Sequence, residues 1–258
     1  MPGDLHTHTN FSDGSCPAEW LPRLAAAAKM NALAITDHDS MASVRFGYAH
    51  PQVNGVRLIP GMELSGYDNA RGSKVHILCY WPRECEALQA HCDRMAERRR
   101  NALEQSMQLL QQRCPQFRRE DAMAYAQNSE GALYKAYVMR ALMEYGLADG
   151  VYGSVYKQLF RPVQEGGISF RFGYPDCREL LQLGRQCGGV VVLAHPGVYN
   201  NIELMKELAA EGLLDGIELD HPRNTPKDRA EILQTAQQYG LILTGGTDFH
   251  GVNRKILQ

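Results

Sequence analysis

Short apolar runs that end in polar clusters alternate along the chain with stretches of helical periodicity. This alternation predicts repeated βα units built around a parallel sheet. Clear strand candidates are residues 32–36, 56–60, 189–194 and 241–244, and each leads directly into polar residues. Because the carboxyl ends of parallel strands meet at one edge of a sheet, these polar residues are expected to gather there.

The stretch 83–160 has few strand candidates and shows long helical patterns. It predicts a helical insertion lobe, carried by a barrel-forming unit that comprises residues 1–82 and 161–258. Within the first predicted helix, the charged run ERRR at 97–100 is interpreted as a solvated face, with a phosphate contact as the less favoured alternative.

At 258 residues the chain is long enough for a substantial apolar core. Its seven cysteines are odd in number and never spaced as CxxC, which favours reduced thiols in a cytoplasmic protein over a disulfide framework or a zinc ribbon. The polar, histidine-rich start does not resemble a secretory signal, and no apolar run is long enough to span a membrane. We therefore expect a cytoplasmic protein without a membrane partner.

The formal net charge is −2, so the basic surface typical of proteins that bind long nucleic acid is missing. Any nucleotide substrate is expected to be short.

Six of the nine histidines lie in the predicted strand-end clusters, together with three carboxylates. These residues are His6, His8, His38, His76, His195, His250, Asp13, Glu63 and Asp248. His6 and His8 are two apart on a predicted strand, so both imidazoles point to one face and can bind one ion. Such a pair alone is weak evidence, because histidines at strand ends are often structural. Their joint occurrence predicts a site for more than one metal ion.

Seven segments, in order along the chain, resemble the signature motifs of the PHP (polymerase and histidinol phosphatase) family. They are DLHTHTNFSDG, AITDHDS, IPGMELSG, VHILCY, VVLAHPG, GIELDHP and GGTDFHG. The resemblance is strongest to stand-alone members that act as nucleoside 3′,5′-bisphosphate phosphatases. It implies an α/β fold, namely a distorted (β/α)7 barrel with a helical insertion lobe, and a metal site at the carboxyl ends of the strands.

The resemblance also implies a ligand set in which Glu63 bridges two ions. The ligands are His6, His8, Glu63 and Asp248 for a first ion, Glu63, His76 and His195 for a second, and Asp13, His38 and His250 for a third. Two or three divalent ions are therefore expected, with Mn²⁺ preferred and Zn²⁺ or Fe²⁺ as alternatives. Such ions activate water and polarise phosphoryl oxygens, so no protein nucleophile is required, and Glu63, His195 and Asp248 are the expected catalytic residues.

Basic side chains near the ions would neutralise phosphoryl oxygens during the reaction. The candidates are Lys135, Arg140, Arg223 and the neighbouring His221. Relatives often carry RPHIAR where this chain has KAYVMR at 135–140, so Lys135 and Tyr137 replace an arginine and a histidine. Because lysine has no bidentate fork, altered phosphate recognition is expected, and packing of these two side chains against the barrel is the alternative.

The leading hypothesis is hydrolysis of a small phosphate monoester, above all a nucleoside 3′,5′-bisphosphate. One alternative is histidinol-phosphate phosphatase, which the long insertion disfavours. Another is 5′-3′ trimming of short oligonucleotides, which the same metals would serve. A non-catalytic metal-bound module is disfavoured by the complete ligand set.

Overall fold

The computed structural model describes residues 3–251. Its strands are β1 (Gly3–Thr7), β2 (Ala32–Ile35), β3 (Gln52–Val53), β4 (Val56–Asp68), β5 (Ser73–Tyr80), β6 (Val190–Leu193), β7 (Gly216–Asp220) and β8 (Ile242–Gly245). Seven of them form a nearly closed barrel in the order β1-β2-β4-β5-β6-β7-β8, while β3 pairs with β4. The backbone N–H of Asp248 donates to the carbonyl of His6 at 2.9 Å, which links the chain after β8 to β1. The α/β barrel is thus confirmed.

The sheet is mixed, because β5 runs antiparallel to both β4 and β6 while the other neighbours along the barrel are parallel. The expectation of a wholly parallel sheet is therefore wrong. The physical reason is that β4 continues to Asp68 and a short turn leads directly into β5, and such a turn can join only antiparallel strands. As a result Glu63 lies inside β4 and His76 lies in the first half of β5, rather than after the ends of their strands.

The α-helices are α1 (Leu21–Ala27), α2 (Met41–Ala49), α3 (Glu86–Arg113), α4 (Arg119–Met123), α5 (Lys135–Glu144), α6 (Ser154–Leu159), α7 (Cys177–Gln186), α8 (Ile202–Ala210) and α9 (Pro226–Tyr239). Short 3₁₀ helices cover Ala18–Trp20, Ala124–Ala126 and Val163–Glu165. Polar side chains cap the N-termini of several helices. At the start of α9, the Thr225 hydroxyl accepts a hydrogen bond from the backbone N–H of Asp228 at 3.2 Å, as part of a capping box. Within residues 3–251, none of the helices combines the length and apolarity that a membrane crossing requires.

Helices α3 to α6 form a hydrophobic core of their own, which is separate from the hydrophobic core between the sheet and helices α7 to α9. Its centre is formed by large side chains with almost no exposure, including Phe117, Tyr137 and Met139. The lobe core extends to Ile168, beyond the expected end of the insertion at residue 160. The helical lobe observed here agrees with the helical pattern of the sequence, and its boundaries as a domain stay a prediction.

Cys85 and Cys187 form a disulfide, with their Cα atoms 6.2 Å apart. The expectation that all the cysteines are reduced thiols is wrong for this pair. The two residues are 102 positions apart, but the backbone N–H of Arg83 donates to the carbonyl of Cys187 at 2.7 Å. The chain thus returns to the base of the lobe after α7, a proximity that the spacing of cysteines does not reveal. Cys16, Cys79, Cys92, Cys114 and Cys177 are free.

Candidate metal centre

All nine predicted ligands come together at one end of the barrel, and Glu63 lies at their centre. Its Oε2 atom is 3.3 Å from His6 Nε2 and 3.1 Å from His8 Nε2. The same oxygen is 3.1 Å from His38 Nδ1. A carboxylate buried among imidazoles from β1 and from the segments that follow β1 and β2 is the arrangement that the bridging role requires.

The second oxygen of Glu63 faces the opposite wall of the barrel. Its Oε1 atom is 2.8 Å from His76 Nδ1 and 3.1 Å from His195 Nε2. The antiparallel pairing of β4 and β5 explains this contact: Glu63 pairs with Leu78, two residues after His76, so Glu63 and His76 are diagonal neighbours on one face of the sheet. Glu63 therefore has histidines on both sides.

Two further carboxylates complete the cluster. Asp248 Oδ1 is 3.3 Å from His8 Nε2 and 3.5 Å from His6 Nε2. Asp13 Oδ1 is 3.3 Å from His250 Nε2 and 3.9 Å from His8 Nδ1. Both aspartates approach the cluster from loops, one after β1 and one after β8.

The ligand atoms form four overlapping groups, and within each group they lie within 4.8 Å of one another. The groups are His8, Asp13, His38 and His250; His6, His8 and Asp248; His6, Glu63 and His195; and His38, Glu63 and His76. The partition implied by the resemblance differs from these groups in three respects. His8 also approaches Asp13, His38 also approaches Glu63, and His195 groups with His6 rather than with His76. Which ligand serves which ion stays a prediction.

The hydrogen bonding of the cluster fits a metal site. His6 Nε2, both ring nitrogens of His8, His38 Nδ1 and Glu63 Oε2 are buried and have no hydrogen-bond partner. Buried polar atoms are nearly always satisfied in proteins, so convergent unsatisfied nitrogens and oxygens indicate ligands for cations. Divalent ions bound by these atoms would supply Lewis-acid polarisation of a phosphoryl group and a water molecule of lowered pKa.

Glu218 supports the cluster from behind and was not foreseen from the sequence. Its Oε1 is 3.0 Å from His6 Nδ1, and its Oε2 accepts from the backbone N–H of His195 at 2.8 Å. A carboxylate on the outer nitrogen of a ligating imidazole fixes the ring orientation and increases its basicity. The available signal was a glutamate within the apolar strand β7, where it is fully buried.

Three residues around the metal cluster have left-handed backbones: Asp39 (φ 47°), His195 (φ 27°) and Asp248 (φ 54°). This conformation is unfavourable for residues other than glycine and concentrates at functional sites. Here the turn brings His195 and Asp248 back over the barrel end.

Burial raises the pKa of Glu63, but the surrounding histidines, His76 first, bring that pKa well below its usual value. Burial likewise lowers the pKa of His8, whereas the nearby carboxylates of Asp248 and Glu63 raise it to about 10. Burial lowers the pKa of His38 to about 3. Without metal, the Glu63 carboxylate is therefore ionised, His8 carries a proton and His38 is neutral.

A cavity of about 1340 Å³ lies over the cluster, between the barrel end and the helical lobe. Lys135, His221 and Arg223 line it, as expected for substrate contacts. Arg223 is exposed, with one guanidinium nitrogen 3.8 Å from Asp248 Oδ2, and His221 Nε2 is 3.5 Å from the same oxygen. The substrate-binding roles of these three residues stay predictions.

Arg140 and Tyr137 face away from the cavity and towards the Asp13 loop. Arg140 is buried and donates to the carbonyl of Asp13 at 2.6 Å, and the Tyr137 hydroxyl donates to the carbonyl of Ser12. Neither residue is among those that line the cavity within residues 3–251. Tyr137 therefore packs the lobe onto the barrel, and a direct phosphate contact by Arg140 stays a prediction.

The ERRR run does not form a wholly solvated face. Arg99 points into the cavity and donates to Asp39 Oδ2 at 2.6 Å, and His91 Nε2 is 3.1 Å from the other oxygen of Asp39. The interpretation of the run is wrong for Arg99, because α3 lies across the barrel end and turns this one position inward. His91, which is outside the predicted ligand set, is buried beside it.

Residues 4–182 match the family model described as the PHP domain. The chain belongs to the PHP family. This PHP chain is 37% identical over 251 residues to phosphoribosyl 1,2-cyclic phosphate 1,2-diphosphodiesterase of Eggerthella lenta, covering 96% of this chain and 94% of the relative. It is 29% identical over 261 residues to the 5′-3′ exoribonuclease Rnm of Escherichia coli, with coverages of 96% and 84%.

A third PHP relative is the 3′,5′-nucleoside bisphosphate phosphatase of Chromobacterium violaceum, 27% identical over 255 residues, with coverages of 96% and 86%. Among solved structures, a Bifidobacterium adolescentis protein described as a metal-dependent phosphoesterase superposes with a TM-score of 0.87 at 25% identity. That match covers 96% of this chain and 87% of the other. The chain is accordingly a PHP-family phosphoesterase, and its clusters of histidine and carboxylate are those of a multinuclear metal site.

Proposed function

We propose that this phosphoesterase hydrolyses a phosphate ester on a small pentose that carries a second phosphate group. The observation that supports this is a single cavity with the metal cluster on its floor and basic side chains on its walls. Lys74, Lys135 and Arg223 all line that cavity. One phosphate group of such a substrate can thus reach the metal cluster while the other contacts a basic side chain on the cavity wall.

The side chains around the cluster have distinct tasks in this proposal. Glu63 and Asp248 stay ionised, since the neighbouring histidines depress their pKa values, and can bind cations at neutral pH. His221 Nδ1 accepts a hydrogen bond from the backbone N–H of Arg223 at 3.2 Å, so the ring carries its proton on Nε2. Nε2 is buried and lies 3.5 Å from Asp248 Oδ2, so this N–H is placed to orient the Asp248 carboxylate beside the cluster.

A phosphoribosyl 1,2-cyclic phosphate is the first candidate substrate. The Eggerthella lenta relative, named for this compound, matches this chain at 37% identity over nearly the full length of both. Such a sugar carries a cyclic phosphate diester in addition to its other phosphate, which fits a cavity with one metal cluster and separate basic groups.

A nucleoside 3′,5′-bisphosphate, the leading hypothesis from the sequence, is the second candidate. The cavity exceeds the usual range of small-molecule sites, about 300–1000 Å³. Phe172 and Tyr174 line it with ring centroids 4.8 Å apart and offer aromatic faces against which a base can stack. Manganese as the preferred ion and a cytoplasmic location remain our proposals alongside these substrates.

The test is phosphate release or ring opening by manganese-loaded protein, with metal-stripped protein as the control. The panel contains phosphoribosyl 1,2-cyclic phosphate, adenosine 3′,5′-bisphosphate, AMP, histidinol phosphate and a 5′-phosphorylated trinucleotide. We expect metal-dependent turnover of one of the first two, at a kcat/KM at least about tenfold above that for AMP. Equal turnover of AMP, or preference for histidinol phosphate or the trinucleotide, would contradict the proposed substrate class.

A further inference from the structure

Arg99 reaches from the helical lobe to the metal edge of the barrel. It lies on α3, and its NH2 nitrogen donates to Asp39 Oδ2 at 2.6 Å and to Ser65 Oγ at 2.7 Å. Ser65 stands opposite His76 in the β4–β5 ladder and two residues after Glu63. The guanidinium is therefore beside the His76 side of the metal cluster.

Aromatic rings surround this guanidinium. Its central carbon is 5.0 Å from the ring centroid of Tyr134, 5.7 Å from that of Phe172 and 5.9 Å from that of Tyr174. Contacts of this kind attract the cation and restrict its rotation. The planar guanidinium group of Arg99 is consequently held in one orientation before any ligand binds, which lowers the entropy cost of binding.

The hydrogen-bonding capacity of Arg99 is only partly used. Its NH2 nitrogen is engaged, but Nε is buried without a hydrogen-bond partner and the side chain lines the cavity with 11% of its surface exposed. Asp39 does not serve Arg99 alone, since the same carboxylate lies 3.1 Å from His91 Nε2 and accepts from the Ser65 amide at 2.9 Å. A buried arginine with an unsatisfied N–H at a cavity wall is suited to bind an anion.

We propose that Arg99 binds the phosphate group of the substrate that is not hydrolysed, and so determines specificity for substrates with two phosphates. This inference rests on the proposed function, because it assigns a second phosphate to the same cavity. Planar N–H groups match the geometry of phosphate oxygens, and Asp39 with Ser65 keeps the fork in register with the metal cluster.

The test compares two ligands that differ by one phosphate, ribose 1,5-bisphosphate and ribose 5-phosphate, as inhibitors of p-nitrophenyl phosphate hydrolysis by the manganese-loaded protein. The variants are Arg99→Gln and Arg99→Lys. Arg94→Gln is the matched control, since Arg94 lies on the same helix and is exposed. Metal content and melting temperature are measured for every variant.

For Arg99→Gln we expect the inhibition constant of the bisphosphate to rise by about tenfold or more. The constant for ribose 5-phosphate should stay within about threefold of wild type. Arg99→Lys, which keeps the charge but loses the fork, should show a smaller loss confined to the bisphosphate and serves if the glutamine variant does not fold. The Arg94→Gln control should match wild type.

Unchanged bisphosphate inhibition in both variants would overturn the proposal. An equal loss for both inhibitors, or loss of metal with either, would also overturn it, because Arg99 would then position the Asp39 loop rather than contact phosphate. Failure of the proposed function gives a different result: wild-type protein would hydrolyse neither two-phosphate candidate, while the inhibition series still reports on Arg99.

Discussion

The metal edge of the barrel and the wall of the helical lobe form one cavity by different means. At the metal edge, the ligands lie on or directly after strands, and backbone pairing brings His6, Glu63 and Asp248 together. On the lobe wall, long side chains reach in from a helix and an irregular segment, as Arg99 and Phe172 do.

Because of this difference, we expect the metal edge to determine the reaction and the lobe wall to determine which substrates are accepted. Strand pairing leaves little freedom in where a ligand lies, so the metal site depends on a few short segments. The positions of the side chains on the lobe wall depend on how the helical lobe, which has a hydrophobic core of its own, packs against the barrel. Changes at the metal edge should therefore affect every substrate, whereas changes at the lobe wall should affect only some.

The largest effect is expected for Glu63→Ala, which removes the carboxylate at the centre of the cluster. We expect a loss of turnover of about a thousandfold or more on all substrates, with lower metal content and a retained fold. Steady-state kinetics and elemental analysis measure both. Glu19→Ala, at an exposed position, is the control, and near-normal turnover of Glu63→Ala would refute the bridging role.

A smaller effect is expected for Glu218→Gln, which keeps the shape of the side chain but removes its charge. Since Glu218 orients His6, metal affinity should fall about 10- to 100-fold, and turnover should recover at high metal concentration. Titration of stripped protein with Mn²⁺ measures this. A KM change at saturating metal would instead place Glu218 in substrate binding.

Metal affinity should also depend on pH. In the metal-free protein the pKa of His8 is raised to about 10, so this residue is protonated at neutral pH and must lose its proton to bind an ion. Binding should therefore release protons, and affinity should weaken as pH falls, by up to about tenfold per unit for each proton released. Calorimetry in buffers of different ionisation enthalpy measures this release. Binding without proton release would contradict the protonated state of His8.

The smallest effect on activity is expected for Tyr137→Phe in the lobe. The carbonyl of Ser12 would lose its donor, which should destabilise the protein by about 1–2 kcal/mol. KM should not change, because Tyr137 packs the lobe and does not line the cavity. Denaturant unfolding with parallel kinetics tests this, and a raised KM would return Tyr137 to substrate recognition.

The nine side chains that the sequence and the family resemblance indicated do come together at one end of the barrel, and their roles as metal ligands stay a prediction. Glu63 and His76 belong to this set, although the sequence did not predict the direction of β5. Three features depend on tertiary contacts and were missed. Arg99 is turned inward by the path of α3, Glu218 is a buried partner within an apolar strand, and Cys85 meets Cys187 across the base of the lobe. No local pattern in the chain reports these distances.

The most direct test of the account is the number of manganese ions bound per chain, measured together with hydrolysis of p-nitrophenyl phosphate as metal is stripped and restored. The account predicts two or three ions, with activity lost on stripping and regained as they return. Hydrolysis that persists in stripped protein, or that reaches its maximum with one ion bound, would contradict the multinuclear centre around Glu63.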